Sequence, residues 1–230
     1  MKVLISGVSR GLGKALAEKY LKTGCDVIGI GRSHEIGHPN FRFIQCDLSD
    51  PLQVNVIDFG QIDEETILIN NAGIIGNIRR ISDQQKPDAS VVMQVNTVAP
   101  MLLCSKIARA VSPTQMLTVV NISSGAGRRP IPSWSAYCAS KAALDMFSQT
   151  FLLEEIEKGR KISVFSIAPG VIDTEMQQAI RSAGTEDFSS LSRFEELKSN
   201  DQLVPPDEVA DRLIDFIRNS NESMGVVCSL

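Results

Sequence analysis

Two side chains with complementary proton chemistry stand one helical turn apart in the second half of the chain. Tyr137 and Lys141 are separated by three residues, so a helix would place them on the same face. A free tyrosine ionises near pH ~10 and is a poor acid or base at neutral pH. A neighbouring ammonium favours the phenolate and lowers its pKa, which brings the phenol closer to its working range. The pair predicts a proton-transfer site, although this spacing by itself is common.

Other polar residues accompany the pair at the ends of predicted strands. Ser124 lies two residues beyond the apolar strand 117–122, and residues 70–73 (Asn-Asn-Ala-Gly) follow another apolar strand. Asn96 lies inside a predicted helix, where asparagine is a poor helix former and invites explanation. Because ligands of a parallel sheet gather at the carboxyl ends of its strands, we expect these side chains to converge there.

A glycine-rich turn separates the first predicted strand from the first predicted helix. Residues 6–13 read Ser-Gly-Val-Ser-Arg-Gly-Leu-Gly, with the spacing G-x-x-x-G-x-G rather than the commoner G-x-G-x-x-G. Glycines let the backbone turn tightly and approach a pyrophosphate, while the helix N-terminus offers free N–H groups and the positive end of its dipole. The position predicts a dinucleotide site, with contacts expected from Gly7, Ser9, Arg10, Gly11, Leu12 and Gly13.

The end of the second strand indicates which dinucleotide binds. Sites for NAD place a carboxylate there to hold the ribose hydroxyls, whereas this strand ends in Gly31, Arg32 and Ser33. Arg32, with Arg10, can grip a 2′-phosphate in bidentate fashion, which favours NADP(H) over NAD(H). The alternative is that both arginines are ordinary solvated surface residues.

The elements that position these residues alternate along the whole chain. Helix 87–110 is expected to have Pro87 in its first turn and a kink at Pro100. Such βα repetition predicts one domain, residues 1–230, with a Rossmann-type, doubly wound parallel sheet flanked by helices. The predicted strands are 2–6, 26–30, 41–46, 67–69, 117–122, 162–167 and 225–228, and the predicted helices are 11–23, 51–59, 87–110, 135–158 and 207–219.

One segment departs from this order. Residues 173–201 are polar and serine-rich but carry the apolar residues Met176, Ile180, Phe188, Leu191 and Phe194. An insertion of this kind after the carboxyl end of a strand is typical of a lid over a substrate site. The alternative is a pair of ordinary surface helices.

Composition excludes several function classes. The chain has 230 residues, 43% hydrophobic content and a net charge of −4 without charge blocks, which disfavours nucleic-acid and anionic-membrane surfaces. No secretory leader and no apolar run of membrane-spanning length are evident. The five cysteines lack a Cys-x-x-Cys pair and only two histidines could join them, so we expect no metal site and reduced thiols in a cytoplasmic protein.

Taken as an ordered set, these motifs resemble the short-chain dehydrogenase/reductase family over nearly the whole chain. The departures are Ser6 in place of the usual threonine, which keeps the hydroxyl, and an ending without Asp-Gly-Gly, which favours a dimer over a tetramer. The matching motifs are Gly7-x-x-x-Gly11-x-Gly13, Asp47-Leu48, Asn70-Asn71-Ala72-Gly73, Asn96, Ser124, Tyr137-x-x-x-Lys141 and Pro169-Gly170-x-x-x-Thr174.

The resemblance implies a role for each matching residue. Tyr137 would be the general acid in reduction, and Ser124 would hydrogen-bond the substrate carbonyl oxygen. Lys141 would lower the pKa of Tyr137 and hold the nicotinamide ribose, while Asn96 would fix a water of a proton relay. The remaining implied cofactor contacts are Asp47 and Leu48 at the adenine, Asn71, Ala72 and Gly73 along the cleft, and Ile172 and Thr174 at the nicotinamide.

Within the family, the residues Ser9-Arg10-Gly11 and Gly31-Arg32-Ser33 on a short chain are similar to the sepiapterin and benzil reductase branch. That resemblance implies NADPH-dependent reduction of ketones and diketones by a homodimer or homotetramer. Two alternatives remain: a 3-oxoacyl-carrier-protein reductase and a non-catalytic NADP(H)-sensing regulator. For substrate contact, Arg128, Arg129 and Trp134 are open candidates; a solvated turn is the alternative for the arginines, and core or interface for the tryptophan.

Overall fold

Seven short, mostly apolar segments form the strands of one parallel sheet. The computed structural model describes residues 1–220 and 224–230 of the chain. Its strands are β1 (Lys2–Ser6), β2 (Asp26–Gly31), β3 (Phe41–Gln45), β4 (Thr66–Asn70), β5 (Leu117–Ile122), β6 (Ile162–Ala168) and β7 (Val227–Ser229). They lie in the order β3-β2-β1-β4-β5-β6-β7, so the predicted doubly wound α/β fold is confirmed.

Helices cover both faces of this sheet because successive strand residues point to opposite sides. Val3 and Ile5 pack with one group of helices and Leu4 with the other. The first group is α1 (Gly11–Lys22) and α8 (Pro206–Asn219); the second is α2 (Pro51–Asn55), α4 (Ala99–Ala110) and α5 (Ser135–Glu157). Three shorter α-helices are α3 (Ala89–Met93), α6 (Glu175–Arg181) and α7 (Leu191–Ser199), and short 3₁₀ helices span Ile81–Asp83 and Gly125–Gly127.

The predicted helix 87–110 is interrupted rather than continuous. It begins at Ala89, beyond Pro87, and a π-helical turn, Gln94–Val98, separates α3 from α4. Pro100 has no N–H to donate to the carbonyl of Asn96, so the regular i→i−4 ladder cannot continue there. The expected kink at Pro100 therefore takes the form of this wide turn, which contains Asn96.

The same segment corrects the expectation about apolar runs. Residues Ala89–Ala110 reach a mean hydropathy of 1.4 over a membrane-spanning window, by length and composition alone. In the structure, Leu103, Cys104 and Ile107 of this segment are fully buried against the sheet. Its apolar character is accounted for by its packing as a core helix.

The strand register aligns four polar residues at the carboxyl edge of the sheet. Ser6 of β1 is level with Asn70 of β4, which is level with Asn121 of β5 and then Ser166 of β6. We refer to these four residues as the polar row. The direction in which the chain adds strands reverses between β1 and β4, and ligands of such sheets bind at that switch point.

Candidate active site

The glycine-rich turn after β1 is fastened to the turn after β4. The Ser6 hydroxyl accepts the backbone N–H groups of Asn71 and Ala72, each at 3.1 Å. In return, the Asn71 side-chain amide donates to the carbonyls of Ser6 at 3.0 Å and Gly7 at 3.1 Å. The serine in place of threonine thus supplies the hydroxyl that joins the two loops at the switch point.

Three glycines shape this turn into a cradle that side chains would fill. Gly7 and Gly11 have φ values of +76° and +55°, in the left-handed region that favours glycine. A Cβ on Gly13 would lie 2.1 Å from the Gly7 carbonyl oxygen and 2.4 Å from Asn71 Nδ2. Only a glycine at position 13 therefore lets α1 begin this close to the turn, an arrangement that fits the pyrophosphate site of a dinucleotide.

The two arginines beside the cradle have different contacts. Arg10 is ion-paired with Glu175 at the start of α6, and both side chains are more than half exposed. Arg32 is exposed after β2, and its charge contributes to lowering the pKa of Asp47. The first cause of that lowering is the pair of hydrogen bonds that Asp47 accepts from the Ser49 backbone and hydroxyl.

The remaining residues implied at the adenine and nicotinamide ends also border this edge. Leu48 is buried, and its carbonyl accepts from the Gln94 side chain at 3.3 Å. Ile172 forms an isolated parallel bridge with Val204. Thr174 Cγ2 lies 3.4 Å from where a Cβ on Gly11 would be, so the chain after β6 passes next to the cradle.

Tyr137, Ser124 and Lys141 come together where α5 crosses the ends of β5 and β6. Tyr137 is 7% exposed, and its phenol is within hydrogen-bonding reach of the Ser124 side chain. Ser124 Oγ accepts the Ala126 N–H at 3.2 Å, so its own proton remains available to donate. The Lys141 Nζ lies 5.7 Å from the centre of the Tyr137 ring.

Lys141 is held in a buried position between backbone and side-chain groups. Its ammonium donates to the Ile122 carbonyl at 2.8 Å, which leaves two donors for other partners. A Cβ on Gly73 would lie 3.4 Å from Asn96 Oδ1 and 3.5 Å from Lys141 Nζ. The structure thus brings Gly73, Asn96 and Lys141 to one point of the cleft.

Asn96 acts on the loop after β4 through both ends of its side chain. Its Oδ1 accepts the Ile74 N–H and its Nδ2 donates to the Ile74 carbonyl, both at 2.8 Å. Its Nδ2 also donates to Ser140 Oγ at 3.0 Å, which joins the π-helical turn to α5. These bonds explain why Asn96, a polar residue, lies inside a helical segment, because they fix the loop that borders Lys141.

Burial dominates the proton affinities of the pair. It raises the pKa of Tyr137, while the Ser124 hydrogen bond opposes the rise. It lowers the pKa of Lys141 to about 8, while the charge of Asp145 opposes the fall. Burial is the main cause of the raised pKa of Tyr137, and the lowering of this pKa by Lys141 stays a prediction. At neutral pH the phenol holds its proton and the amine remains mostly charged.

Segment 173–201 packs over this site through aromatic contacts. Trp134 stacks on Phe188 at 5.4 Å and lies edge-on to Tyr137 at 5.6 Å between ring centroids. Trp134 is 6% exposed, so of its two alternative readings it belongs to the core. Phe188 of this segment is 1% exposed and lies inside the same aromatic cluster. The apolar residues of segment 173–201 thus pack its two helices against α5, the helix that carries Tyr137 and Lys141.

A cleft remains open between this segment and the loop after β4. It has a volume of about 310 Å³ and lies between residues 75–78 and residues 179–187. Its lining combines the apolar side chains of Ile75, Ile78 and Ala183 with the polar groups of Asn77 and Asp187. Such a mixed lining, whose exposed surface is mostly polar, suits a small organic molecule that carries polar atoms.

Arg128 is exposed at the end of a turn, as one of its two alternatives predicted, and it also contacts the C-terminal strand. It donates to the Cys228 carbonyl at 2.6 Å and to Ser229 Oγ at 3.2 Å. Its Nε is 3.6 Å from Asp145 Oδ2. The side chain therefore joins β7 to α5 and does not reach outward for an anionic substrate.

Sequence reasoning missed the polar residues of α5 that support the site. Asn121 of the polar row donates to Ser148 Oγ at 2.8 Å, and Ser166 donates to Asp145 Oδ1 at 2.6 Å. Ser140 and Ser148 are fully buried and Asp145 is nearly so. Their signal was present, because Tyr137, Lys141, Asp145 and Ser148 recur at the three- and four-residue spacing of one helix face.

Comparison with known proteins finds relatives over the whole chain. The profile described as short chain dehydrogenase matches residues 1–184. A benzil reductase ((S)-benzoin forming) of Bacillus subtilis is 36% identical over 96% of this chain and 94% of its own length. A sepiapterin reductase of Meriones unguiculatus is 29% identical over 96% and 93% of the two chains. The crystal structure of the KRED1-Pglu enzyme superposes with a TM-score of 0.82 at 28% identity, covering 99% of both chains. The predicted resemblance to the sepiapterin and benzil reductase branch is confirmed.

Proposed function

The chain belongs to the short-chain dehydrogenase/reductase family, and from this we propose that it reduces ketones or diketones with NADPH, using Tyr137 as the general acid. The observation that carries the proposal is the meeting of the Tyr137 phenol, the Ser124 hydroxyl and the Lys141 ammonium at one edge of the sheet. The names of the benzil and sepiapterin reductases support reduction of a carbonyl as the reaction.

Each of the three side chains has a distinct part in this chemistry. When bound, the cofactor supplies the hydride that adds to the carbonyl carbon. Tyr137 donates its proton to the carbonyl oxygen, and the raised pKa of the buried phenol keeps that proton in place until it is needed. The Ser124 hydroxyl donates to the same oxygen and stabilises the negative charge that develops there. Lys141 has two free donors for the nicotinamide ribose, and its charge favours the phenolate left after transfer.

The residues around the cradle fit NADPH. The backbone of the turn at Gly7, Gly11 and Gly13 would hold the pyrophosphate, and Arg32 would meet a 2′-phosphate. Asp47 would face the adenine, with Thr174 near the nicotinamide end. Arg10 would exchange its contact with Glu175 for the cofactor phosphate, because both are exposed and the ion pair is weak in water.

Replacement of Arg32 by alanine tests the choice of cofactor. We expect the affinity for NADPH to fall about 10-fold to 100-fold, since a charge-assisted hydrogen bond is lost. The affinity for NADH should change little, because it lacks the 2′-phosphate. Titration of both nucleotides by calorimetry measures the difference. The matched control is Arg109→Ala, on an exposed arginine near the end of α4; equal losses for NADPH and NADH in Arg32→Ala would contradict the assignment.

Segment 173–201 is proposed to act as a substrate lid. Its aromatic contacts with Trp134 and the cleft beside residues 75–78 support this role. The apolar side chains of Ile75, Ile78 and Ala183 in the cleft suit an aromatic or aliphatic ketone rather than a highly charged substrate. Single-turnover assays of NADPH loss with diketones, aromatic ketones, quinones and acetoacetyl thioesters test the proposal. Turnover of diketones or ketones is the expected result; turnover of the thioesters alone would move the function to the acyl-carrier-protein reductases.

A homo-oligomer in the cytoplasm completes the proposal. Met146, Leu153 and Ile156 of α5 are 63%, 62% and 53% exposed, which leaves an apolar stripe for a second copy of the chain. The five cysteines are all free, as in reducing compartments.

The variant Leu153→Lys tests the oligomer. We expect its mass by light scattering to fall to that of one chain, because a charge at the stripe would be buried on association. Leu52→Lys is the matched control, since Leu52 is 73% exposed on α2. A wild-type protein that is already monomeric would reject this part of the proposal.

A further inference from the structure

A buried carboxylate lies one helical turn beyond Lys141 and has no part in the mechanism above. Tyr137, Lys141 and Asp145 follow one another at intervals of four residues and therefore lie along one face of α5. Asp145 is only 6% exposed. A carboxylate at this depth needs hydrogen bonds or an opposite charge to offset its lost hydration.

Groups from two other parts of the fold contact Asp145, and a third part holds one of them in place. From β6, the Ser166 hydroxyl donates to its Oδ1 at 2.6 Å. From the segment after β5, Arg128 Nε lies 3.6 Å from its Oδ2, and Arg128 is itself fastened to Cys228 and Ser229 of β7. A Cβ on Gly127 would lie 3.1 Å from Oδ2, so a residue without a side chain allows this close approach. The carboxylate is thus held in one place beside the catalytic lysine.

The groups that face Lys141 show why such a charge matters. From β5, the Ile122 carbonyl accepts its proton; from the π-helical turn, Asn96 approaches it; and on α5 itself stand the Tyr137 ring and Asp145. The carbonyl, the amide and the phenol carry no net charge. Asp145 supplies the negative charge that stabilises the buried ammonium.

We propose that Asp145 is a positioning residue that keeps Lys141 protonated during turnover, and that Arg128 moderates this effect by drawing on the same carboxylate. The inference rests on the proposed function, because it concerns the lysine of that site. Asp145 acts through Lys141 and touches neither substrate nor cofactor. The pair therefore sets the pH range over which Tyr137 can be used as an acid.

The pKa of Lys141 is shifted in the direction that this proposal requires. Burial lowers the pKa of Lys141 to about 8, and the charge of Asp145 opposes the fall. Without that charge the pKa of Lys141 drops further, so the amine becomes neutral within the physiological range. The charge of Arg128 has the opposite sign, and its removal raises the pKa of Lys141.

The pH dependence of turnover tests the proposal in two variants. In Asp145→Asn, which preserves the acceptor for Ser166, the alkaline limb of kcat/KM for carbonyl reduction should move to lower pH by about one unit. In Arg128→Gln it should move to higher pH. Shifts of opposite sign are the expected result. A uniform loss of activity at every pH, with the limb unmoved in both variants, is what a merely structural role produces and would overturn the proposal.

A second measurement needs no substrate. Carbon-13 NMR of the lysine ε-carbons follows the ionisation of each amine, and the signal that is absent from Lys141→Arg identifies Lys141. In Asp145→Asn the titration of Lys141 should move to lower pH, because a nearby negative charge is removed; folding is followed by circular dichroism at each pH. An unmoved Lys141 titration in a folded protein would overturn the inference. If the wild-type protein reduces no carbonyl while this titration shifts, the proposed function fails and the inference about Lys141 and Asp145 stands.

Discussion

Tyr137→Phe is expected to lower kcat for carbonyl reduction by about 10²-fold to 10⁴-fold, the usual contribution of a positioned general acid. The phenol carries the proton that the carbonyl oxygen receives, and burial of the phenol holds that proton in place. The affinity for NADPH should stay nearly constant, because the ring and its contact with Trp134 remain. Steady-state kinetics and calorimetric titration of NADPH measure the two effects.

Tyr20→Phe is the matched control for this variant. Tyr20 is also buried, but its hydroxyl has no hydrogen-bond partner among the described residues and lies between α1 and α8. Its removal should leave turnover unchanged. Retention of about a tenth or more of wild-type kcat by Tyr137→Phe would remove the general acid from the mechanism.

Gly13→Ala should weaken NADPH binding by about 100-fold or more and destabilise the protein by about 1–3 kcal/mol. Alanine is the better helix former by about 0.8–1.0 kcal/mol, so propensity alone predicts a gain in stability. The added Cβ, however, would lie 2.1 Å from the Gly7 carbonyl oxygen and 2.4 Å from Asn71 Nδ2. One of these groups has to move, and both shape the cradle, so the steric effect outweighs the propensity.

Thermal unfolding and NADPH titration measure this outcome. Gly37→Ala is the control, because a Cβ at Gly37 would meet nothing within 4 Å. It should leave stability and affinity nearly unchanged. Normal NADPH affinity in Gly13→Ala would show that the cradle tolerates a side chain and would refute the steric argument.

Local sequence patterns were sufficient for the order of the elements. Strand β5 was predicted with its observed bounds, and α5 and α8 within one residue, because apolar runs and helical spacing depend on near neighbours. The π-helical turn was not foreseen, since one missing N–H at Pro100 can be accommodated by a kink, a break or a widened turn. Packing against α5 decides which of these three forms the helix takes. That packing cannot be predicted from the sequence of the segment alone.

The residues of the candidate site also fall into those that the sequence predicted and those that it did not. Tyr137, Lys141 and Ser124 could be named from spacing and from their place after a strand. The charges around Lys141 could not, because Ser166 and Arg128 reach Asp145 only when β6 and β7 lie beside α5. The engagement of Arg10 by Glu175 was also unforeseen, since these residues are far apart in the chain and adjacent only across the cleft.

The aromatic cluster around Trp134 gives the protein an intrinsic optical reporter. Trp134 is the only tryptophan in the chain, so all indole fluorescence arises where segment 173–201 meets the catalytic helix. Its emission overlaps the absorption of a reduced nicotinamide, and its ring lies beside Tyr137. Energy transfer from Trp134 can therefore follow nucleotide arrival and movement of the segment in real time, without any label attached to the protein.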